Sequence, residues 1–408
     1  MSQQRSFDIV GTVQPDFQLL REEFVEGFER GDDLGASVAV WHQGELVASL
    51  AGGWEARPPH RAATQAWHEE SVTTIFSCTK GLLAIAFSML SDRGLLDYDA
   101  PLATYWPGLS RGKKGAVTVR TLLNHRAGFL GFDRPLPLEI IADDAALEAA
   151  LEIAPISWEP GTRQGYHAIT YGLYGGVLFR KVAGERLGDF LLREVADPLN
   201  IKLYLGGDRA AAAPVAPIYP ASPKTILTQI LPRLLFSADV DGRFFRGALR
   251  RKSETAHAFA EPAALGAKGL RNFNRADVRR LELPWANAAI SARGLSKIYQ
   301  AFLAGSLTPR QGTAALEPLL RPQSWSERDA VIRKPLGFSL GFIKEELGLF
   351  SPNPTAFGHP GAGGSIGWAD PSELLSIAYI RNQMGYQVRP TRTKRLLRTV
   401  YRCLGRVE

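Results

Sequence analysis

A serine and a lysine three residues apart are the residues of this sequence best suited to chemistry. Ser77 is followed by Lys80 at the start of a long apolar run. Because residues i and i+3 share a helix face, the spacing predicts that hydroxyl and amine lie side by side. A serine becomes a good nucleophile when a neighbouring base takes its proton, and burial lowers the pKa of a lysine towards that task. The plainer interpretation is a serine near a helix N-cap with a solvated lysine one turn on.

The element that must position this pair is a buried helix. Apolar side chains cover it nearly all round, and Asp92, Arg93 and Gly94 mark its end. The apolar residues are Leu82, Leu83, Ala84, Ile85, Ala86, Phe87, Met89 and Leu90. The run is too short, and too interrupted by polar residues, to span a membrane.

Further short segments follow the pair in a fixed order. They are 96–101 with 105–107, 121–128, 158–161, 165–172, 291–295 and 358–364. Together they resemble the serine β-lactamase and penicillin-binding protein superfamily, in the class C-like branch that includes the family VIII carboxylesterases. The resemblance runs from about residue 35 to residue 385, and only 205–284 is unfamiliar.

The resemblance implies roles for named residues. Ser77 would be the acylated nucleophile, Lys80 its base, and Tyr166, which opens the second motif, a proton relay. For that relay we expect a charged Lys80 to lower the pKa of the phenol. Without the resemblance, Tyr166 is an ordinary aromatic residue in a loop. The oxyanion would be held by the backbone amides of Ser77 and Ala362.

Two departures from the β-lactamase pattern bear on the substrate. Ala168 stands where the second motif usually has asparagine, and the triplet His359-Pro360-Gly361 replaces Lys-Thr-Gly. Histidine is mostly neutral at pH 7 and proline has no hydroxyl, so the anchor for a substrate carboxylate is missing. His359, Gly361 and Gly363 are the predicted substrate-binding residues, although His359 could equally be a hydrogen-bonded strand histidine and the glycines a hairpin edge without ligand.

The prediction is a serine hydrolase that cleaves small or short-chain carboxylic esters through an acyl-serine, a carboxylesterase. On the same site a weak β-lactamase, a D-amino-acid peptidase or amidase, or an acyltransferase remains open. An inactive relative serving as a scaffold or binding protein is the alternative outside enzymes.

A second serine motif competes for the role of nucleophile. Residues 337–341 read Gly-Phe-Ser-Leu-Gly, the G-x-S-x-G of α/β-hydrolases, with Ser339 at its centre. That motif needs a tight strand-to-helix turn within a succession of βα units. The flanking residues alternate like a strand and no amphipathic helix follows, so we interpret Ser339 as a strand residue.

The rest of the chain predicts an α+β fold, an antiparallel sheet from both chain ends flanked by helices, with a second, mostly helical lobe. With 408 residues and 45% hydrophobic content, a large core is expected. We assign 1–72 and 285–408 to the sheet lobe and 73–284 to the helical lobe. Periodicity predicts a helix at 15–30, a hairpin at 37–52, strands at about 337–346, 355–368 and 374–382, and a basic C-terminal helix.

The stretch 205–284 has a character of its own. Prolines at 214, 217, 220 and 223 predict an extended linker, and apolar and basic residues follow. Three interpretations stay open: a mobile cap that shapes the pocket, a basic amphipathic element on anionic membrane, or a surface insertion packed on the helical lobe.

Composition and motifs limit the cofactors, partners and cellular location that can be predicted for the protein. Cys78 and Cys403 are the only cysteines, no metal-ligand spacing occurs, and no cofactor is predicted. No signal peptide is visible, which predicts a cytoplasmic protein without stable membrane insertion. The net charge is +7, but no nucleic-acid recognition motif accompanies it, so the predicted partner is a small ester and not nucleic acid. The sequence does not give the oligomeric state.

Overall fold

The computed structural model describes residues 8–57, 65–132, 135–260, 263–265 and 269–407. The α-helices are α1 (Gln18–Glu29), α2 (Cys78–Asp92), α3 (Leu102–Tyr105), α4 (Val119–Leu123), α5 (Leu138–Ala142), α6 (Asp144–Ile153), α7 (Thr170–Ala183), α8 (Leu187–Leu191), α9 (Gly207–Ala212), α10 (Pro223–Thr225), α11 (Leu231–Phe236), α12 (Val240–Leu249), α13 (Glu254–Phe259), α14 (Ala276–Arg280), α15 (Ala292–Leu303) and α16 (Thr391–Cys403). A π-helical turn, Ile226–Ile230, joins α10 to α11, and another, Leu192–Ala196, extends α8.

The strands form one large and one small antiparallel sheet. They are β1 (Ile9–Val13), β2 (Gly35–His42), β3 (Glu45–Gly53), β4 (Thr73–Thr74), β5 (Leu203–Tyr204), β6 (Ala289–Ile290), β7 (Ser324–Ser326), β8 (Leu336–Ser339), β9 (Phe342–Lys344), β10 (Phe357–Pro360), β11 (Ile366–Asp370) and β12 (Leu375–Arg381). The nine-stranded sheet has the order β1-β3-β2-β12-β11-β10-β9-β8-β7, and the three-stranded sheet has the order β4-β6-β5. The N-terminal hairpin and the C-terminal strands therefore meet where β2 pairs with β12.

The large sheet is the middle layer between two groups of helices. Along β12, Ile377 and Tyr379 pack in one core cluster with α1 and α16, whereas Ala378 and Ile380 belong to the other cluster, which contains α2 and α15. This alternation is the two-residue period of a strand that is buried on both faces. The predicted α+β architecture, with a sheet built from both chain ends, is confirmed.

Individual elements agree with the sequence prediction to different degrees. Helix 15–30, the hairpin 37–52 and the C-terminal helix are present as α1, β2–β3 and α16. The strands predicted at 337–346 and 355–368 were wrong as single strands, because each is a pair of short strands joined by a turn. At the first break Leu340 and Gly341 both have positive φ, 45° and 93°, which suits a tight hairpin turn.

Among the described residues, the middle of the chain holds most of the helices and no strand of the large sheet. The larger core cluster nevertheless joins side chains from both predicted lobes, for example Leu83 and Phe338. The division into 1–72 with 285–408 and 73–284 therefore stays a prediction. In the described part of the chain no helix is long and apolar enough to cross a membrane.

The proline-containing segment 213–222 contains no helix, but Pro223, the last proline of the predicted linker, begins α10, and the segment is not a free linker. The Tyr219 N–H donates to the Asn382 carbonyl at 2.7 Å, and the Met384 N–H donates to the Tyr219 carbonyl at 2.9 Å. Ala216 and Ile218 are buried. The segment is thus fixed along the residues that follow β12.

Candidate active site

Ser77 lies immediately before α2, at the N-cap position, and its side chain makes no capping hydrogen bond. Phe76, just before it, has a φ of 47°, which a non-glycine residue rarely adopts. Such strain is found at functional sites, where the surrounding structure enforces it. The Ser77 hydroxyl is therefore left free of a structural role at a sharp turn into a buried helix.

The Lys80 amine is aimed at Ser77 by a second contact. Its Nζ lies 3.1 Å from Ser77 Oγ and donates to the main-chain carbonyl of Trp285, also at 3.1 Å. Gly172 on α7 makes this possible, because a Cβ there would lie 2.4 Å from the Trp285 nitrogen. The residues 284–285 can thus approach α7 closely and bring their carbonyl to Lys80.

Burial favours the neutral form of the Lys80 amine. The side chain is completely buried, and this desolvation holds its pKa well below the usual value of 10.5. No carboxylate pairs with the amine in the described residues. A neutral amine has a lone pair that can accept the Ser77 proton, which is what a general base needs.

Tyr166 is the third of the predicted catalytic side chains, but its pKa is shifted in the direction opposite to the expectation. Lys80 Nζ lies 5.0 Å from the centre of the Tyr166 ring. Burial raises the pKa of Tyr166 above its usual value of 10, and the Ser77 side chain offsets only part of that rise. The predicted lowering of this pKa by a lysine ammonium was wrong, because the desolvation of the buried phenol is the larger effect.

A carboxylate that the sequence analysis missed holds the Tyr166 loop. Oδ1 of the buried Asp329 accepts backbone N–H groups from Tyr166 at 3.2 Å and from Val331 and Ile332 at 2.9 Å. Its Oδ2 accepts from the Gln164 side chain at 3.2 Å. Burial raises the pKa of Asp329, and these hydrogen bonds oppose that rise. Only the fold reveals this residue, because it lies 163 positions from the tyrosine.

His359 lies in the core and not on an open surface. It belongs to β10 and is completely buried, with its ring centre 6.0 Å from that of Tyr166. Nδ1 lies 2.8 Å from the Pro360 carbonyl, and Nε2 has no hydrogen-bond partner in the described residues. Burial lowers the pKa of His359 to about 3, so the ring is neutral at pH 7. Its full burial favours the alternative of a strand histidine, and substrate contact stays a prediction.

The turn after β10 comes close to Ser77. A Cβ on Gly361 would lie 2.3 Å from the Ile75 carbonyl, so only glycine permits this approach. Ala362 is exposed next to it. Among the described residues, neither the Ala362 N–H nor the Ser77 N–H donates a hydrogen bond. Two free N–H groups near the serine are the feature that an oxyanion hole requires. A Cβ on Gly363 would lie 2.9 Å from Cβ of Met384, and a role of Gly361 and Gly363 in substrate binding stays a prediction.

Two other side chains with nucleophilic atoms, Ser339 and Cys78, are buried. Ser339 is the last residue of β8, fully buried, and donates its hydroxyl to the Arg321 carbonyl. The interpretation of Ser339 as a strand residue is confirmed. Cys78 is fully buried too, and burial raises the pKa of its thiol to about 12. Neither side chain is available as a nucleophile.

Aromatic residues of the 205–284 stretch reach the site. The ring of Phe259, at the end of α13, has its centre 6.5 Å from that of Tyr166, and Phe273 packs edge-on against Phe76 at 5.2 Å. A cavity of about 480 Å³ lies elsewhere, behind the Tyr166 loop, and contains none of the predicted catalytic side chains. Its lining includes Arg126, Arg163, Gln164, Trp325 and Arg328. We place the candidate active site at Ser77, where the chemistry-bearing groups converge.

Comparison with known proteins identifies the family and the fold. The Beta-lactamase family model matches residues 20–401. The Esterase/beta-lactamase LipL of Mycobacterium tuberculosis is 30% identical over 386 residues, which cover 92% of this chain and 83% of LipL. The crystal structure of a family VIII carboxylesterase has a TM-score of 0.81 and 30% identity, over 97% of this chain and all of the other. A penicillin-binding protein homologue from Caulobacter crescentus has a TM-score of 0.79, with the same identity and coverage. The chain therefore belongs to the Beta-lactamase family and is a hydrolase of the β-lactamase fold.

Proposed function

We propose that this hydrolase cleaves small carboxylic esters through an acyl-serine intermediate on Ser77. The observation that carries the proposal is the 3.1 Å approach of the buried Lys80 amine, whose pKa is lowered by burial, to the Ser77 hydroxyl. Esterase-named relatives at 30% identity support the ester as substrate class.

In acylation, Lys80 Nζ takes the proton of Ser77 Oγ as that oxygen attacks the ester carbonyl carbon. The carbonyl oxygen becomes an oxyanion, and we assign the N–H groups of Ser77 and Ala362, which donate no hydrogen bond among the described residues, to hold it. When the carbon–oxygen bond of the tetrahedral intermediate breaks, the leaving alkoxide needs a proton. Tyr166 supplies it from its neutral hydroxyl and regains one from the Lys80 ammonium, which returns the amine to its resting state.

Deacylation repeats these steps with water in place of Ser77. Lys80 and Tyr166 together take a proton from water, the hydroxide attacks the acyl carbon, and Ser77 Oγ leaves with the returned proton. The raised pKa of Tyr166 is compatible with this role, since it keeps the phenol protonated and ready to donate. No step needs a metal or a cofactor.

The absence of a charged anchor favours a neutral ester over a β-lactam. Ala168 offers no hydrogen-bond group, and His359, with a pKa of about 3, carries no charge at neutral pH. A β-lactam antibiotic carries a carboxylate that would need a cation at this position. An uncharged ester does not need a cation at this position.

The test compares kcat/KM for p-nitrophenyl acetate, butyrate and octanoate with that for the cephalosporin nitrocefin. We expect kcat/KM for the short esters to exceed kcat/KM for nitrocefin by at least about 100-fold. Loss of one charge-assisted contact to the nitrocefin carboxylate costs about 3 kcal/mol, which corresponds to this factor. Equal or better nitrocefin cleavage would replace the ester proposal with a β-lactamase. Cleavage of a D-amino-acid p-nitroanilide alone would replace it with an amidase.

A further inference from the structure

The helical segment 223–236, called here the exposed helix, turns its apolar side towards solvent. It comprises α10, the π turn and α11, and none of its residues is buried. Leu227 is 65% exposed, Leu235 is 59% exposed and Phe236 is 85% exposed. A helix at the surface of a globular protein normally turns such residues to the core, so this orientation is unusual.

The sequence of the exposed helix is nevertheless strongly patterned. Apolar residues recur every four positions in two adjacent columns, 226, 230 and 234 beside 227, 231 and 235. The first column is partly covered, whereas the second is open to solvent. Lys224, Thr228 and Gln229 supply the polar side. The pattern is that of an amphipathic helix whose apolar face lacks its partner.

Exposed apolar side chains are concentrated around this helix. Of the thirteen large hydrophobic side chains that are exposed in the described residues, six lie between 226 and 249. They are Ile226, Leu227, Leu231, Leu235, Phe236 and Leu249. Scattered apolar residues are normal on a surface, but a contiguous group marks an interaction surface.

The same region carries most of the net positive charge of the protein. Residues 222–252 contain seven lysines or arginines and two aspartates, a net charge of +5 out of the total of +7. Arg250, Arg251 and Lys252 are exposed and have no carboxylate within 4.0 Å in the part of the chain that the structure describes. Arg246 ties α12 to the exposed helix through a 3.0 Å hydrogen bond to the Leu234 carbonyl. The cations and the apolar column therefore belong to one surface.

We propose that the exposed helix and the basic end of α12 dock on an anionic lipid surface. An apolar column flanked by arginine and lysine is the combination by which interfacial helices bind, the apolar side chains entering the acyl boundary and the cations lying at the headgroups. A second copy of this chain is a poor occupant, because it would bring a second surface of charge +5 against the first.

The docking surface is connected to the active site through aromatic rings. Phe244 on α12 packs edge-on against Phe259 at 5.5 Å, and Phe259 lies 6.5 Å from Tyr166. Docking would therefore hold the active site near the lipid surface, where apolar esters partition. The docking proposal itself does not depend on which ester is cleaved.

The experiment measures sedimentation of the full chain with vesicles of phosphatidylcholine, with and without phosphatidylglycerol. We expect binding to the anionic vesicles only, weakened at least about tenfold when salt rises from about 0.05 to 0.5 M. The variant Leu227→Glu/Leu235→Glu and the variant Arg250→Glu/Arg251→Glu should each bind at least about tenfold more weakly. The matched control is Ile153→Glu at the end of α6, a side chain that is 86% exposed outside this surface, and it should bind like the wild type.

Hydrolysis of a soluble p-nitrophenyl ester checks that each variant is folded, and it should stay unchanged in all of them. Failure of ester hydrolysis in the wild type would count against the proposed function and leave vesicle binding as a separate result. Three outcomes would overturn the docking proposal: no wild-type binding to anionic vesicles, equal binding to neutral vesicles, or equal loss in the Ile153→Glu control. A lipid-free dimer that Leu227→Glu/Leu235→Glu dissociates in sedimentation velocity would also overturn it, in favour of a second copy.

Discussion

The Lys80 amine donates to the main-chain carbonyl of Trp285, a residue 205 positions away in the chain, while lying 3.1 Å from Ser77 Oγ. A neutral amine has two hydrogens and one lone pair. When one hydrogen is directed to a fixed carbonyl, the lone pair is free for the serine proton. A backbone carbonyl achieves this orientation without the pKa rise that a carboxylate partner would cause.

Lys80→Met should abolish catalysis and stabilise the fold. Loss of a general base is expected to lower kcat by about 10²- to 10⁴-fold. Since burial of an ionisable amine costs stability at pH 7, Met should raise Tm by about 1 °C for each kcal/mol recovered in a chain of this length. Ester hydrolysis and thermal unfolding measure both effects.

Lys344→Met is the matched control for that variant. Lys344 is also buried, with a pKa lowered to about 8, but its Nζ donates to the carbonyls of Leu319, Leu320 and Thr355. Its replacement should leave kcat near the wild-type value and lower Tm, because three acceptors lose their donor. Equal activity loss in both lysine variants would assign the Lys80 effect to folding alone.

The pH dependence of kcat/KM should report Lys80. The lysine must be neutral to act, so activity rises with pH through its folded pKa, which burial holds well below 10.5. Because burial raises the pKa of Tyr166, no loss from phenol ionisation is expected near pH 10. The profile should therefore be a single rising limb followed by a plateau. A limb centred near pH 10, or a fall there, would contradict the assigned protonation states.

The same buried amine makes stability depend on pH. The folded pKa of Lys80 lies below its unfolded value, so the unfolded chain binds more protons between those two values. This contribution to the free energy of unfolding rises with pH through that window and is smallest at acid pH. In urea titrations, the wild type should gain more stability than Lys80→Met as the pH increases across it.

Asp329→Asn tests whether the carboxylate positions Tyr166. The new amide would set its NH₂ against the Gln164 NH₂ that now donates to Oδ2, a donor–donor contact in a buried site. We expect kcat to fall about 10- to 100-fold with little change in KM, since displacement of a proton relay affects the chemical step. Glu327→Gln, in the same loop but exposed, is the control. A rise in KM at constant kcat would exclude the positioning role.

Phe259→Ala should change acyl-chain preference. The ring lies next to Tyr166, so its removal opens space beside the catalytic group. We expect the ratio of kcat/KM for the octanoate ester to kcat/KM for the acetate ester to rise about 10-fold. This factor corresponds to the burial of one or two additional methylene groups of the longer acyl chain. The exposed Phe236→Ala is the control and should keep the wild-type ratio. An unchanged ratio in Phe259→Ala would mean that α13 does not shape the acyl pocket.

Local periodicity was sufficient to predict the Ser77–Lys80 pair and the sheet from both chain ends. Tyr166 depended on resemblance, because nothing in its own surroundings distinguishes it from a loop aromatic. Asp329 and the Trp285 carbonyl could not be predicted, since both act through tertiary contacts between distant parts of the chain. The electrostatic prediction for Tyr166 was wrong because the sequence does not show that the phenol itself is buried.

In the 205–284 stretch, the sequence predicted the type of element but not its orientation. Its apolar and basic pattern predicts an amphipathic element, and the structure contains one in 223–236. The pattern alone gives no direction for the apolar face. Only the position of α12 and the open second column decide that the face points outwards.

The central claim is that Ser77 is the nucleophile, and p-nitrophenyl butyrate hydrolysis by Ser77→Ala and Ser339→Ala tests it most directly. We predict that Ser77→Ala loses activity to the level of buffer, whereas Ser339→Ala, which removes only a buried hydrogen bond to Arg321, keeps most of it. Thermal unfolding of both variants controls for misfolding. A folded Ser77→Ala that retains hydrolysis, or a folded Ser339→Ala without it, would contradict this account of the active site.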